Sequence, residues 1–268
     1  MDTTGRDNGA GGGDSKKIKS IVKAASIIDL LAASSVPLTL SEITNGLGIA
    51  KSTLHGIIST LMDVGYIDQD AETGRYLLGF RLFEIGSSVS RNWNARNISY
   101  PYMQKLVEKT GETVHLAVLA DGEVLYINKQ ESPGSIHIVT DTGVKLPAHC
   151  TGLGKVLLSG LKPYDLKKII RKRQLIRHTE TTITEFDHLT AELEKIRAQG
   201  YAIDEQEFME GLRCVAAPIY SYRGNVICAL SIAGPVSRMR GDKFEAKKRY
   251  LLQAAREISN QMGYHADN

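Results

Sequence analysis

The 268-residue chain predicts an α+β fold in two parts: three short helices with a β-hairpin, then a larger domain mixing strands and helices. Three observations carry this prediction. Apolar residues recur at helical spacing in three stretches between Ile21 and Met62, a Gly-containing hairpin turn follows at Asp70–Gly74, and beyond about residue 98 strand patterns alternate with helical ones. The length suits two cores, since single domains run to roughly 100–200 residues.

Residues 1–15 are rich in Gly, Asp and Ser without apolar periodicity. They read as a disordered tail, because they bury too little surface to offset their ordering entropy. Ile21, Ala24, Ala25, Ile28 and Leu31 then define an amphipathic helix that stops before Ser34-Ser35-Val36-Pro37. Thr39 followed by Glu42 is a capping-box pattern opening a second short helix, which Gly48 closes. A third helix from about Lys51 to Val64 places Leu54, Ile57, Ile58, Leu61 and Met62 on one stripe, with Lys51, Ser52, Thr53, His55, Gly56, Ser59 and Thr60 opposite. Tyr66-Ile67-Asp68 and Arg75-Tyr76-Leu77-Leu78 flank the turn as a wing. These elements make a winged helix-turn-helix over residues 16–79, and Phe80, Leu82, Phe83 and Ile85 continue as a linker helix over 80–97.

The second domain, 98–268, opens with a helix through Met103, Leu106 and Val107. Strands are predicted at Thr113–Leu119, Val124–Asn128, Ile136–Val139, Tyr201–Asp204, Arg213–Ile219 and Val226–Ala233, with Asp121-Gly122 as a hairpin turn. Leu146–Cys150 reads as a loop. Helices follow at Thr151–Leu158, around Leu166–Ile170, around Leu189–Ile196 with Gly200 as the cap, and from about Lys243 to Met262.

Hydrophobic residues make up 42% and charged residues 24%, as in ordinary globular chains. No apolar run approaches the roughly 18 residues of a membrane span, and the first residues lack a signal peptide's apolar core, so a cytoplasmic protein is expected. Cys150, Cys214 and Cys228 are an odd set read as free thiols. The net charge of +3 is too small to point to nucleic acid, and residues 1–92 hold nine Lys or Arg against ten Asp or Glu. Placement matters more than the total. Lys16, Lys17, Lys19 and Lys23 gather at one end, whereas Asp63, Asp68, Asp70 and Glu72 lie in and after the third helix.

Two short helices joined by a Gly turn, the second small and polar on one face, suit insertion into the major groove of double-stranded DNA. Lys51, Ser52 and Thr53 stand at that helix's N-terminus, where donors and the positive dipole end hold phosphate. His55, Ser59 and Thr60 would face base edges, and Arg75 on the wing would meet the backbone or minor groove. The same pattern also describes a plain helical bundle with a solvated face.

The motifs LSEITNGLGIAKSTLHGIISTLMDVGYI, GRYLLGFRLFEIG, GETVHLAVL, LPAHCTGLGKVLLS and GYAIDEQEFMEGLRCVAAPI together resemble the IclR family of transcription regulators, from about Ser20 to Gly263. The resemblance implies a winged helix-turn-helix, a helical linker and a GAF-like effector domain, working as a dimer or dimer of dimers on a palindromic operator. Lys51, Ser52, Thr53 and His55 match the family's recognition-helix motif, and Gly56 stands where the family commonly has Arg. It further implies an effector pocket at Thr151, Gly152, Leu153, Asp204, Cys214 and Ser231, with Asp204 accepting hydrogen bonds, Cys214 as a soft wall and Ser231 as donor or acceptor. Independently, the first N–H groups of the helix at Thr151–Gly154 suit a carboxylate, so a small acid is expected as the effector, and the resemblance implies control of a catabolic or metabolic operon. Read singly, Asp204 also fits a strand end, Cys214 core and Ser231 a sheet residue.

Catalysis finds little support. His149 beside Cys150, with Asp204 and Cys214 farther along, admits a thiol nucleophile or a zinc site, but neighbours on an extended loop point opposite ways. HExxH and GxSxG patterns are absent and Gly152-x-Gly154-Lys155 lacks P-loop spacing, so no enzyme, metal or cofactor is expected. A ligand-blind interaction module is the remaining alternative.

Overall fold

The computed structural model describes residues 17–91, 94–131 and 140–265. The predicted tail at 1–15 and the predicted strand Ile136–Val139 lie outside them. The chain divides into two compact units, Met1–Asn92 and Trp93–Asn268.

The first unit contains α1 (Lys19–Ala33), α2 (Leu40–Leu47), α3 (Lys51–Asp63), β1 (Ile67–Gln69), β2 (Tyr76–Leu78) and α4 (Phe80–Arg91). Ile27, Leu31, Ile43, Leu54, Ile58, Leu61, Ile67 and Tyr76 form its core, drawing one stripe from each helix. Local chemistry sets the ends of α2. Thr39 Oγ1 accepts the Glu42 N–H at 3.2 Å while Glu42 Oε2 accepts the Thr39 N–H at 2.6 Å, and Gly48 closes the helix at φ 62°. The hairpin pairs Asp68 with Leu77 in antiparallel register, and Asp70 Oδ1 holds the turn through the Thr73 N–H at 2.7 Å. Gly79 allows the exit of β2 to cross the chain behind α3, since a methyl there would fall 2.3 Å from the Gly65 carbonyl oxygen.

The second unit runs α5 (Asn94–Thr110), β3 (Thr113–Ala120), β4 (Glu123–Gln130), β5 (Lys145–Pro147), α6 (Gly152–Ser159), α7 (Pro163–Arg173), α8 (Phe186–Gln199), β6 (Ala202–Glu205), β7 (Leu212–Tyr220), β8 (Val226–Pro235) and α9 (Gly241–Gln261). Among the described residues, six strands form one antiparallel sheet in the order β5-β4-β3-β8-β7-β6. Alternation along the central strands sorts side chains by size. Leu116, Val215 and Leu230 meet Met103, Phe244 and Leu251 on the α5 and α9 face. Ala117, Ala216 and Ala229 face α6 and α8, and such small residues let α6 lie close on the sheet.

Two sequence readings need correction. Residues 94–97, assigned above to the linker, form the first turn of α5 in the second unit. Residues 145–147 are a strand rather than loop, with Leu146 paired to Val124. A three-residue strand carries too little pattern to be seen without its partner. Among the described residues, no helix is long and apolar enough to cross a membrane.

Candidate functional site

On α3 the buried stripe is Leu54, Ile58 and Leu61, which leaves Lys51, Ser52, Thr53, His55 and Ser59 exposed along the opposite face. Ala50 caps the helix without a side-chain bond, so the first N–H groups of α3 are not covered by the residue that precedes them. Gly56 lies on the same face, with open space where a side chain would start. Arg75 is placed differently from the rest. Its Nη1 donates to the Pro37 carbonyl at 3.0 Å and to Glu42 Oε2 at 3.2 Å, tying the hairpin to the capping box of α2.

In the second unit Thr151, Gly152, Leu153, Asp204, Cys214 and Ser231 all line one buried cavity. Sheet register does the gathering. Asp204 on β6 pairs with Cys214 on β7, Cys214 with Ala233 on β8, and Ser231 with His115 on β3. The N-terminus of α6 closes the cavity from above, so that a methyl on Gly152 would sit 3.7 Å from Asp204 Cβ. Thr151 caps that helix, accepting the Gly154 N–H at 3.2 Å and donating to the Pro147 carbonyl at 3.1 Å. The space within is about 20 Å³, little more than the roughly 10–15 Å³ that admits a water molecule.

Sequence reasoning missed His115, Tyr126 and Phe208 in the cavity wall; His115 and Phe208 lie within the family motifs GETVHLAVL and GYAIDEQEFMEGLRCVAAPI, and no motif quoted above contains Tyr126. It also missed the ion group beneath it. Lys155, wholly buried in α6, donates to the Ile203 carbonyl at 2.7 Å and to the Glu207 carboxylate, with Glu192 Oε1 at 3.8 Å. A lone lysine in the apolar run GLGKVLLS was the available signal, because a buried charge requires a partner.

Burial lifts the Asp204 carboxyl to about 7. The Glu207 N–H, bound to Asp204 Oδ1 at 2.7 Å, and the Lys155 charge oppose that rise, whereas the Glu207 charge adds to it. At neutral pH Asp204 is therefore near half-protonated, able to donate as well as accept. His115 goes the other way. Burial, helped by Lys129, lowers it to about 3, so it is a neutral ring sharing a 2.7 Å bond with Thr140 Oγ1 and standing edge-on to Tyr126. Burial also pushes the Cys150 and Cys228 thiols up to about 12 and Cys214 well above its ordinary value. Protonated thiols lack the nucleophilicity that cysteine catalysis needs.

His149 and Cys150 lie in a turn rather than on an extended loop, which corrects the expectation that they point apart. His178, from the connection between α7 and α8, joins them, and one donor atom from each of the three lies within 4.8 Å of the others.

Comparison with known proteins bears on these two sites together. Residues 20–71 match the IclR helix-turn-helix domain, and residues 87–260 match the domain described as bacterial transcriptional regulator IclR C-terminal. The chain belongs to the IclR family. It is 36% identical over 263 residues to the HTH-type transcriptional regulator BhcR of Paracoccus denitrificans, covering 98% of this chain and 94% of that one. It is 32% identical over 248 residues to the HTH-type transcriptional repressor AllR of Klebsiella pneumoniae, covering 92% and 91%. The crystal structure of the Thermotoga maritima IclR superposes with a TM-score of 0.73 at 32% identity, covering 92% of this chain and all of the other. As an IclR-type transcriptional regulator, the protein has α3 within its matched helix-turn-helix domain and the β3–β8 sheet as the frame of its C-terminal domain.

Proposed function

We propose that this IclR-family regulator acts in the cytoplasm on a catabolic or metabolic operon and responds to a small carboxylate bound among Thr151, Gly152, Leu153, Asp204, Cys214 and Ser231. The observation that supports this reading is their convergence, from one helix and three strands, on a single buried cavity at the N-terminus of α6. The first N–H groups of α6 receive the carboxylate. Protonated Asp204 donates to it, which avoids burying two like charges side by side. Two copies, joined in part through Phe80, Phe83 and Ile85 exposed on α4, present two recognition helices to half-sites about 34 Å apart. Effector binding favours one arrangement of the pair and so alters operator affinity.

A thermal-shift screen against small carboxylic acids tests the cavity. One class of acid is expected to raise Tm in the wild type and to fail with Asp204→Leu; the same shift in both would sink the assignment. The pH dependence has a definite sign. Because Asp204 must be protonated and the ligand ionised, acid affinity is expected to be level from the ligand's own pKa up to pH about 7 and to fall about tenfold per pH unit above it. Glu207, Lys155, Tyr126, Cys150 and Cys214 surround Asp204, and Asp204→Asn should flatten the profile, since the amide donates at every pH.

DNA contact is separable by salt. On an operator fragment, Lys51→Ala is expected to lower affinity and to reduce the slope of log affinity against log salt by about 1, because one phosphate contact is lost. Arg75→Ala, whose side chain holds the wing to Pro37 and Glu42, should weaken binding while leaving that slope nearly unchanged. Unchanged affinity in both variants would count against this DNA-facing surface.

A further inference from the structure

The turn that leads into α6 carries a second set of donor groups, next to Thr151. Cys150 is fully buried, His149 is 5% exposed, and His178 is exposed on the α7–α8 connection. The three are positioned by other contacts. His149 Nε2 bonds the Ile176 carbonyl at 2.9 Å, and since a carbonyl only accepts, the proton is on Nε2 and Nδ1 keeps its lone pair. That is the outer-shell arrangement which orients metal-binding imidazoles. The segment bearing His178 is pinned as well. Its own N–H donates to Thr182 Oγ1 at 3.0 Å, Thr182 Oγ1 donates to the Glu207 carbonyl at 2.6 Å, and Thr179 Oγ1 donates to the Gln206 carbonyl at 2.8 Å.

We propose that His149, Cys150 and His178 form a binding site for a zinc-class cation, with two imidazoles and one thiolate as protein ligands and a fourth position for water. Two nitrogens and one sulfur are a borderline-soft set that suits Zn²⁺ over Mg²⁺ or Ca²⁺. Ligand bonds of about 2.0–2.3 Å in a tetrahedron place donors roughly 3.3–3.7 Å apart. The present spacing, within 4.8 Å, therefore needs a contraction of about 1 Å, which the exposed His178 ring can supply. The ion replaces the thiol proton of Cys150, which is released to solvent.

Such an ion would clamp the α7–α8 connection onto the turn that carries Thr151 into the effector cavity. His178 already packs its ring 5.2 Å from Phe208, which lines that cavity. The site is thus a second ligand locus, distinct in chemistry from the carboxylate reading.

The test uses the tag-free full chain stripped with a chelator, Zn²⁺ binding followed by competition with a chromophoric chelator, and Co²⁺ as the visible reporter. One ion per chain is expected, with intense tetrahedral Co²⁺ bands and a thiolate-to-cobalt charge-transfer band. Cys150→Ser should abolish the charge-transfer band. His178→Ala, at an exposed position that does not threaten the fold, should weaken Zn²⁺ binding by at least the roughly 10–100-fold seen for outer-shell changes. Substoichiometric binding, Co²⁺ spectra without a thiolate band, or affinity unchanged in His178→Ala would each overturn the proposal.

Discussion

Lys155→Ala is expected to destabilise the second unit by about 3–5 kcal/mol, read as a lowered urea midpoint in the far-ultraviolet transition. The lysine is 1% exposed, and its ammonium is the cation against which the Glu207 carboxylate is buried. Truncating it leaves Glu207 facing Asp204 and Glu192 without compensation, and Glu207 Oε2 has no hydrogen-bond partner among the described residues to begin with. Removing one partner of a buried pair costs more than removing both. The combination Lys155→Met with Glu207→Leu should therefore recover a large part of the loss. If the double variant were as unstable as the sum of the two singles, the coupling between the two side chains would be absent and the ion group would be a pair of unrelated buried charges.

Gly154→Ala is expected to cost about 3 kcal/mol or more, the upper range of overpacking, and to remove the proposed effector binding with it. A methyl there would fall 2.2 Å from the Ala148 carbonyl oxygen and 2.3 Å from Ala148 Cα, and both are backbone atoms that cannot rotate away. The helix would have to lift from the turn, taking its N-terminal donors out of the cavity. Gly152→Ala is the control. Its methyl would meet side-chain atoms of Ala216 at 3.4 Å and of Asp204 at 3.7 Å, ordinary contact distances. That variant should fold with nearly wild-type stability while narrowing the cavity. Equal losses in the two would show that the close approach at Ala148 relaxes more easily than its geometry implies.

What the sequence made legible is what short-range chemistry determines. The bounds of α2 follow from Thr39, Glu42 and Gly48, which act within one turn of the helix they delimit. Gly200 ends α8 at φ 80° for the same reason. Strand β5 escaped notice because its three residues are held by β4, a pairing set by tertiary contacts rather than by their own pattern. The partner of Lys155 lies 52 positions away, so the buried charge is visible in the sequence but its compensation is not. Thr151, Asp204, Cys214 and Ser231 were reached through family likeness, and no periodicity connects four residues spread over α6's cap, β6, β7 and β8. His178 fell outside every motif because α7 intervenes between it and Cys150. Arg75 was read from its place on the wing, where the tie to Pro37 and Glu42 could not be anticipated.

The narrowness of the space around Asp204, about 20 Å³, turns recognition into a question of time. If the cavity takes the proposed acid, a ligand larger than a water molecule must be captured by a minor population in which the walls have parted. Its measured affinity is then the intrinsic affinity reduced by the fraction of molecules so opened. If opening precedes capture, the observed association rate levels off at high acid concentration, at the rate of opening itself. Substitutions that loosen the wall at Leu146, Phe208 or Leu212 would speed the response of the regulator without touching any group that contacts the acid's charge.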